Sequence, residues 1–457
     1  MVASQGATLA VGAATAPSSG DACPVHRLAQ FLARHPALDR LLTGTFHSRV
    51  SIPVVALIAR NLGRRVRKTS MRELVDAFAC PIPTDDSADF ESRFLARLTA
   101  SPQARDRVAA FLEDLGSLHP RVRAGLLRAW IHAGAIGSVQ RETQQCRDRA
   151  TGVERAYPLD VMVAAFGSCN LTCKGCYTAA ELGAGNATLE NLDFVVDELE
   201  RVHVAHISLV GRGEPFFDQA SRRLLFDIAQ RHPQMLFTVY TNGTNIEADD
   251  IRGFCKTPNL IPLVSFDGPE PISDWRRGPG VFRQASETLR GMKEAGLLFG
   301  YISTVFRQNL RQVLNPAFVG EMEESGCRFG VYSLFLTFEV GASRAMMLSA
   351  EEREHYARDF AVLQRATRIP LFDIDGMEAH VGCRARHGAT LFIDAIEGRV
   401  APCVRDSSSS DDCNLFRGRH PGRLVEILDS AFFRQYRADT SGRHRCAAFE
   451  RADGAKP

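Results

Sequence analysis

Six short runs rich in β-branched and aromatic residues recur through the middle of the chain, each followed by a polar or amphipathic segment, and this alternation limits the fold more than any other feature. The runs are LDVMVAAF (159–166), HISLVG (206–211), LFTVYT (236–241), LVSF (263–266), YISTVF (301–306) and FGVYSLFL (329–336). The intervening segments read as helices: LENLDFVVDELERV begins after Thr188, a good N-cap, and VFRQASETLRGMKEAG carries its apolar residues on one face. Six βα units in series predict a parallel sheet curled toward a barrel, with ligands at the C-terminal ends of its strands. Ser349 and Glu352 make a capping box, so a further helix is expected from there to about Thr367.

The flanks divide the rest. Residues 1–22 are Ala, Gly, Ser and Thr with few large apolar groups, too little to offset the entropy of ordering them, and are expected to be disordered. Residues 23–156 show helical periodicity, as in Phe90, Phe94, Leu98 and Val108, Phe111, Leu112, Leu115, and are expected to form a helical N-terminal domain. The βα series occupies 157–340 and a Cys-bearing C-terminal segment 341–457; DSSSSDD (406–412) within it reads as a solvated loop. With 55 Lys+Arg against 53 Asp+Glu the net charge is +2, which excludes a protein whose whole surface binds nucleic acid. No stretch approaches the ~20 apolar residues of a spanning helix, and the opening lacks a basic signal-peptide region, so a cytoplasmic chain is expected. From Arg40 to Arg72 there are eight basic residues and no acidic one, beside the apolar run IPVVALIA. Such a segment suits either peripheral contact with an anionic membrane or a buried helix with a solvated basic end.

The chemistry is carried by cysteine. Cys169, Cys173 and Cys176 stand at CxxxCxxC spacing in GSCNLTCKGCY, directly after the first strand. Three thiolates so close suit one soft multinuclear centre, typically iron–sulfur, with one iron left open to a ligand. A structural zinc site is the alternative, although such sites usually close with four ligands.

Together with the βα series that follows, this triad resembles the radical S-adenosylmethionine (radical SAM) superfamily. The resemblance implies an α/β fold, a partial (β/α)6 barrel, with a 4Fe–4S cluster on Cys169, Cys173 and Cys176. It further implies reductive cleavage of SAM to a 5′-deoxyadenosyl radical, hydrogen abstraction from an unactivated C–H bond, and a flavodoxin- or ferredoxin-type electron donor. GRGEP (211–215) is similar to the superfamily's glycine-glycine-glutamate-proline motif, which implies SAM contacts at Gly213 and Glu214, although Arg212 stands where that motif has its first glycine. By the same resemblance Asn242 in YTNGT, and Ser265 and Asp267 in SFDG, are expected to contact the ribose and the methionine carboxylate. Arg276 and Arg277 read as anion contacts or as solvated loop arginines. The aromatic that often precedes the last cysteine of the triad is here replaced by Gly175, with Tyr177 just after, a candidate neighbour of adenine.

Near the C-terminus Cys383 and Cys403 frame TLFIDAIEGRVAP, which reads as a hairpin turning at Glu397-Gly398 and bringing the two thiols together. This resembles a SPASM or twitch auxiliary-cluster segment, implying a second 4Fe–4S cluster completed by Cys446 and Cys413; structural zinc or buried free thiols are the alternatives. The whole arrangement is similar to a branch of the superfamily with a helical N-terminal domain, parts of which are linked to lipid alkyl-chain coupling. A lipid chain is therefore one expected substrate, a peptide or small natural product in a maturase or dehydrogenase another, and a non-enzymatic electron carrier the reading from a different class. Cys327 and Tyr332 are candidate donors to a product radical if they face the inside of the barrel.

Overall fold

The computed structural model describes residues 102–439, apart from 131, 134–136, 154, 180–182, 184, 338–342, 376–382 and 407, together with Phe449. Segment 1–22, the basic stretch Arg40 to Arg72, most of the expected helical domain and Cys446 lie outside the described residues. Within them the N-terminal part forms helices Pro102–Asp114, Pro120–Ala129 and Gly137–Ala150, the second docking on the core through Val122, Leu126 and Ala129.

Strands β1 (Asp160–Phe166), β2 (His206–Gly211), β3 (Leu236–Thr241), β4 (Leu260–Ser265), β5 (Gly300–Val305) and β6 (Gly330–Leu334) pair side by side in chain order, all parallel. Each is followed by a return segment with at least one helix, which gives the expected α/β partial (β/α)6 barrel. Three more strands extend the same sheet beyond the six. β7 (Leu371–Asp373) pairs with β6, β8 (Thr390–Asp394) pairs in parallel with β1, and β9 (Val400–Ala401) turns back antiparallel on β8. The order is β7-β6-β5-β4-β3-β2-β1-β8-β9, so the C-terminal thiol segment is joined to the edge of the first strand.

Local chemistry fixes the helix starts. Thr188 accepts from Asn191 N–H at 3.1 Å and opens helix Leu189–Arg201; Ser349 and Glu352 cap helix Ala350–Ala366 reciprocally. Thr188→Ala, which orphans that donor, is expected to lower stability by about 1 kcal/mol, read as a lower urea midpoint with unchanged slope.

Alternation along the strands separates two faces. Val161, Val163, Ile207, Leu209, Phe237, Val239, Tyr301 and Tyr332 pack outward into one large core beneath the helices. The opposite, inner face carries fewer buried apolar groups, Ala164, Val210, Leu263, Ile302, Val331 and Phe392, interspersed with polar side chains. Cys327 and Tyr332 belong to the outer core: the Tyr332 hydroxyl pairs with Tyr301 at 2.9 Å and donates to Val313 O, and burial pushes the Cys327 thiol up. Neither faces the inside of the barrel, which removes both as radical-quenching candidates.

Candidate functional site

The three cysteines share one loop at the C-terminal end of β1, all half-buried. Leu171 N–H donates to the Cys169 sulfur at 3.4 Å, Cys176 N–H to Cys173 O at 3.2 Å, and Thr178 Oγ lies 3.4 Å from the Cys176 sulfur. Burial pushes the free Cys169 thiol up to about 11, with Glu214 adding to the shift. Cys173 is raised by the same cause, opposed by Arg277 and Arg276, whose charges favour its thiolate. Gly175 adopts φ +64°, and a Cβ there would lie 2.7 Å from the Phe335 ring. This explains why the aromatic of the motif is displaced: the position has no room for it. Tyr177 is 64% exposed and forms no part of the core.

GRGEP follows β2 and lies directly on the cysteine loop. A Cβ at Gly213 would stand 2.1 Å from Ser168 O, and Glu214 N–H donates to that same carbonyl at 2.7 Å. The buried Glu214 carboxylate accepts from Asn242 N–H (2.7 Å), Thr241 Oγ–H (2.6 Å) and Phe216 N–H (3.1 Å). Burial raises its pKa, and those three donors oppose the rise. The Asn242 side chain donates to Asn170 Oδ1 at 2.9 Å and accepts from Thr244, while Asn170 donates back to Thr244 Oγ at 2.9 Å. A reciprocal amide link therefore ties the end of β3 to the cysteine loop, and its second member, Asn170, sits between the first two cysteines of the motif without having been marked by sequence reasoning.

Ser265 ends β4 half-buried. Two residues on, the fully buried Asp267 accepts from Arg276 Nη1 (2.8 Å), Arg277 Nε (2.7 Å) and Thr304 N–H (2.9 Å). Burial opposes its charge, but Arg276 and Arg277 outweigh it and hold the carboxyl below the ordinary value. Neither arginine is solvated: Arg276 O accepts from Lys174 N–H in the cysteine loop at 2.8 Å, and the largely buried Arg277 side chain pairs with Asp267, close enough to Cys173 and Cys176 for their charges to interact. Arg276 Nε is buried with no acceptor.

The C-terminal hairpin forms as β8 and β9, with Gly398 at φ +83° in its turn. Cys383 and Cys403 both lie near the Tyr436 phenol, which burial first, then Cys403, Asp406 and Cys383, push up. Asp406 is 6% exposed and accepts from Ser408 and from Tyr436 at 3.1 Å, so the loop expected to be solvated starts buried. Cys413 has other partners: it is buried, with Ser410 Oγ at 3.2 Å and Ser430 Oγ at 3.8 Å. The segment also reaches the inner face. Arg384, beside Cys383, pairs with Asp160 at the start of β1 (2.8 Å), and Arg405, two residues after Cys403, reaches Ser333 and Asp375 at the ends of β6 and β7. Desolvation opposes the Asp160 charge, but His206 and Arg384 outweigh it and hold the half-buried carboxyl strongly down.

Residues 164–315 match the family described as the radical SAM superfamily. Over 192 residues the chain is 28% identical to pre-heme d1 synthase of Dinoroseobacter shibae, covering 41% of this chain and 45% of that protein. Over 265 residues it is 24% identical to the AdoMet-dependent heme synthase of Oleidesulfovibrio alaskensis, covering 56% and 63%. The chain thus spans about half the length of the curated relatives it matches. The crystal structure of Streptococcus suis SuiB bound to precursor peptide SuiA superposes with a TM-score of 0.50 at 15% identity, over 66% of this chain and 72% of that one, a likeness of fold. No described helix is long and apolar enough to cross a membrane. The cysteine-bearing strand end, the barrel around it and the sequence match over the same residues agree: residues 164–315 form a radical SAM superfamily domain, which implies a 4Fe–4S cluster and SAM as cofactors.

Proposed function

We propose that this chain takes a hydrogen atom from an unactivated C–H bond, with the 4Fe–4S cluster held by Cys169, Cys173 and Cys176 and with SAM beside it. The observation that carries the reading is the set of three half-buried thiols on one loop at the C-terminal end of β1, under the charges of Arg276 and Arg277. The donor set fits a cluster with one open iron. The unpaired, buried Arg276 Nε–H suits a carboxylate, as SAM carries. Bound there, cluster and SAM supply one-electron reductive cleavage and hydrogen-atom transfer.

Gly213 lets the backbone approach the ligand, Glu214 offers an acceptor to its ammonium, and Ser265 offers a hydroxyl. Tyr177, on the exposed side of the loop, is the proposed neighbour of adenine. Asn242 acts by holding the loop after β3 to Asn170. Asp267, whose charge is already met by Arg276 and Arg277, acts by fixing those two arginines. A ferredoxin- or flavodoxin-type protein is the proposed reductant. Cys383, Cys403 and Cys446 are the proposed ligands of an auxiliary cluster of the SPASM or twitch kind, with Cys413 the least suited because Ser410 and Ser430 already contact its sulfur.

For the substrate, a lipid alkyl chain rests on the basic and apolar stretch from Arg40 to Arg72. A tetrapyrrole is the second class, favoured by two relatives named for heme synthesis. The test is formation of 5′-deoxyadenosine by the anaerobically reconstituted, reduced protein, with deuterium transfer into it from deuterated candidate substrates. Transfer from an alkyl chain supports the lipid class and transfer from a tetrapyrrole the second. No 5′-deoxyadenosine with any reductant overturns the enzyme reading.

A further inference from the structure

The departure of Arg212 from the motif has a partner. Its side chain, 6% exposed, runs from the end of β2 across the end of β1 and pairs with Asp394, 0% exposed, at the end of β8; Glu397 Oε1 lies 3.7 Å from Arg212 Nη1. The other Asp394 oxygen accepts from Ile396 N–H (3.0 Å) and Glu397 N–H (3.3 Å), which closes the turn of the hairpin leading to Cys403. On the opposite side Arg212 adjoins Gly213 and Glu214, which rest on Ser168 at the base of the cysteine loop. A guanidinium two residues before the acceptor proposed for an ammonium needs a fixed counter-charge; unneutralised, it would repel that cation. Asp394 supplies it from a segment 182 residues away.

We propose that Asp394 is a positioning residue for SAM that acts through Arg212: their buried pair neutralises the guanidinium beside the SAM-contacting loop and joins that loop and the Cys403 hairpin into one unit. The proposal rests on the SAM reading above. Asp394→Asn removes the buried counter-charge and leaves the guanidinium only the exposed Glu397 as an acidic neighbour, and is expected to weaken SAM binding at least about tenfold. Arg212→Gly combined with Asp394→Asn removes the stranded charge and restores the glycine of the motif, so SAM affinity is expected to return to within about threefold of the unaltered protein, a coupling typical of residues in direct contact.

The measurement is calorimetric SAM titration of the reconstituted protein, alongside the ratio of KM to kcat for 5′-deoxyadenosine formation, with iron content and melting of the metal-free chain recorded for each variant. A merely structural pair would lower melting temperature and iron content and leave the affinity of the loaded fraction unchanged. Equal SAM affinity in Asp394→Asn and the unaltered protein, or a double variant no better than the single one, overturns the proposal. The double variant buries no lone charge, so it provides the folded comparison should Asp394→Asn not fold: SAM affinity weakened about tenfold or more there also overturns the proposal. If the unaltered protein itself binds no SAM, the functional reading fails and the positioning role with it.

Discussion

Asp267→Asn is expected to cost about 3 to 5 kcal/mol of stability at neutral pH and most of the iron the protein can hold. The carboxylate lies fully buried between Arg276 and Arg277, and neutralising it leaves two buried guanidinium groups with no counter-charge. The damage reaches the metal site because Arg276 O holds Lys174 N–H inside the cysteine loop and the Arg277 charge acts on the Cys173 and Cys176 thiols. The pH dependence follows from the lowered Asp267 pKa. Its contribution is complete above the ordinary carboxylate pKa and is lost as pH falls through the lowered folded value, so the deficit of Asp267→Asn is largest near neutrality and shrinks in acid. Urea unfolding of the metal-free chain at neutral and at acidic pH reads both. A deficit that is small, or that grows toward acid, contradicts the placement of this ion triad.

Cys173→Ala is expected to separate chemistry from folding. The thiol is half-buried on a loop, so its loss should change the stability of the metal-free chain by no more than about 1 kcal/mol. SAM cleavage should nevertheless fall to background, because two thiols cannot hold the cluster that three hold. Comparing the two variants in the same assays is informative: Asp267→Asn loses stability and iron together, whereas Cys173→Ala loses activity with the metal-free fold intact. Persistent 5′-deoxyadenosine formation by reconstituted Cys173→Ala would remove this triad from the chemistry.

Periodicity made the parallel sheet readable in the sequence, since a strand buried on both faces is a short apolar run bounded by polar turns. It understated β4, which begins at Leu260, because Pro262 lacks a ladder donor and ordinarily argues against a central strand; here it pairs with Val239. β7 is three residues long, below what alternation can detect. The cysteine triad was legible because metal ligation needs particular side chains at close spacing. The Asn170–Asn242 link and the Arg212–Asp394 pair were not, because 72 and 182 residues separate their members and only the closing of the sheet brings them together. Arg212 was visible as an oddity in its motif, and Asp394 explains it.

Electron paramagnetic resonance of the reduced, reconstituted protein with and without SAM, paired with an iron count, decides whether the cluster on Cys169, Cys173 and Cys176 has an iron open to SAM. The account predicts a reduced-cluster signal that SAM shifts, with about four irons per chain from the triad and about eight if the Cys383 and Cys403 region holds a second cluster. A loaded protein whose signal is the same with and without SAM would contradict it and return the chain to the class of closed, electron-carrying clusters.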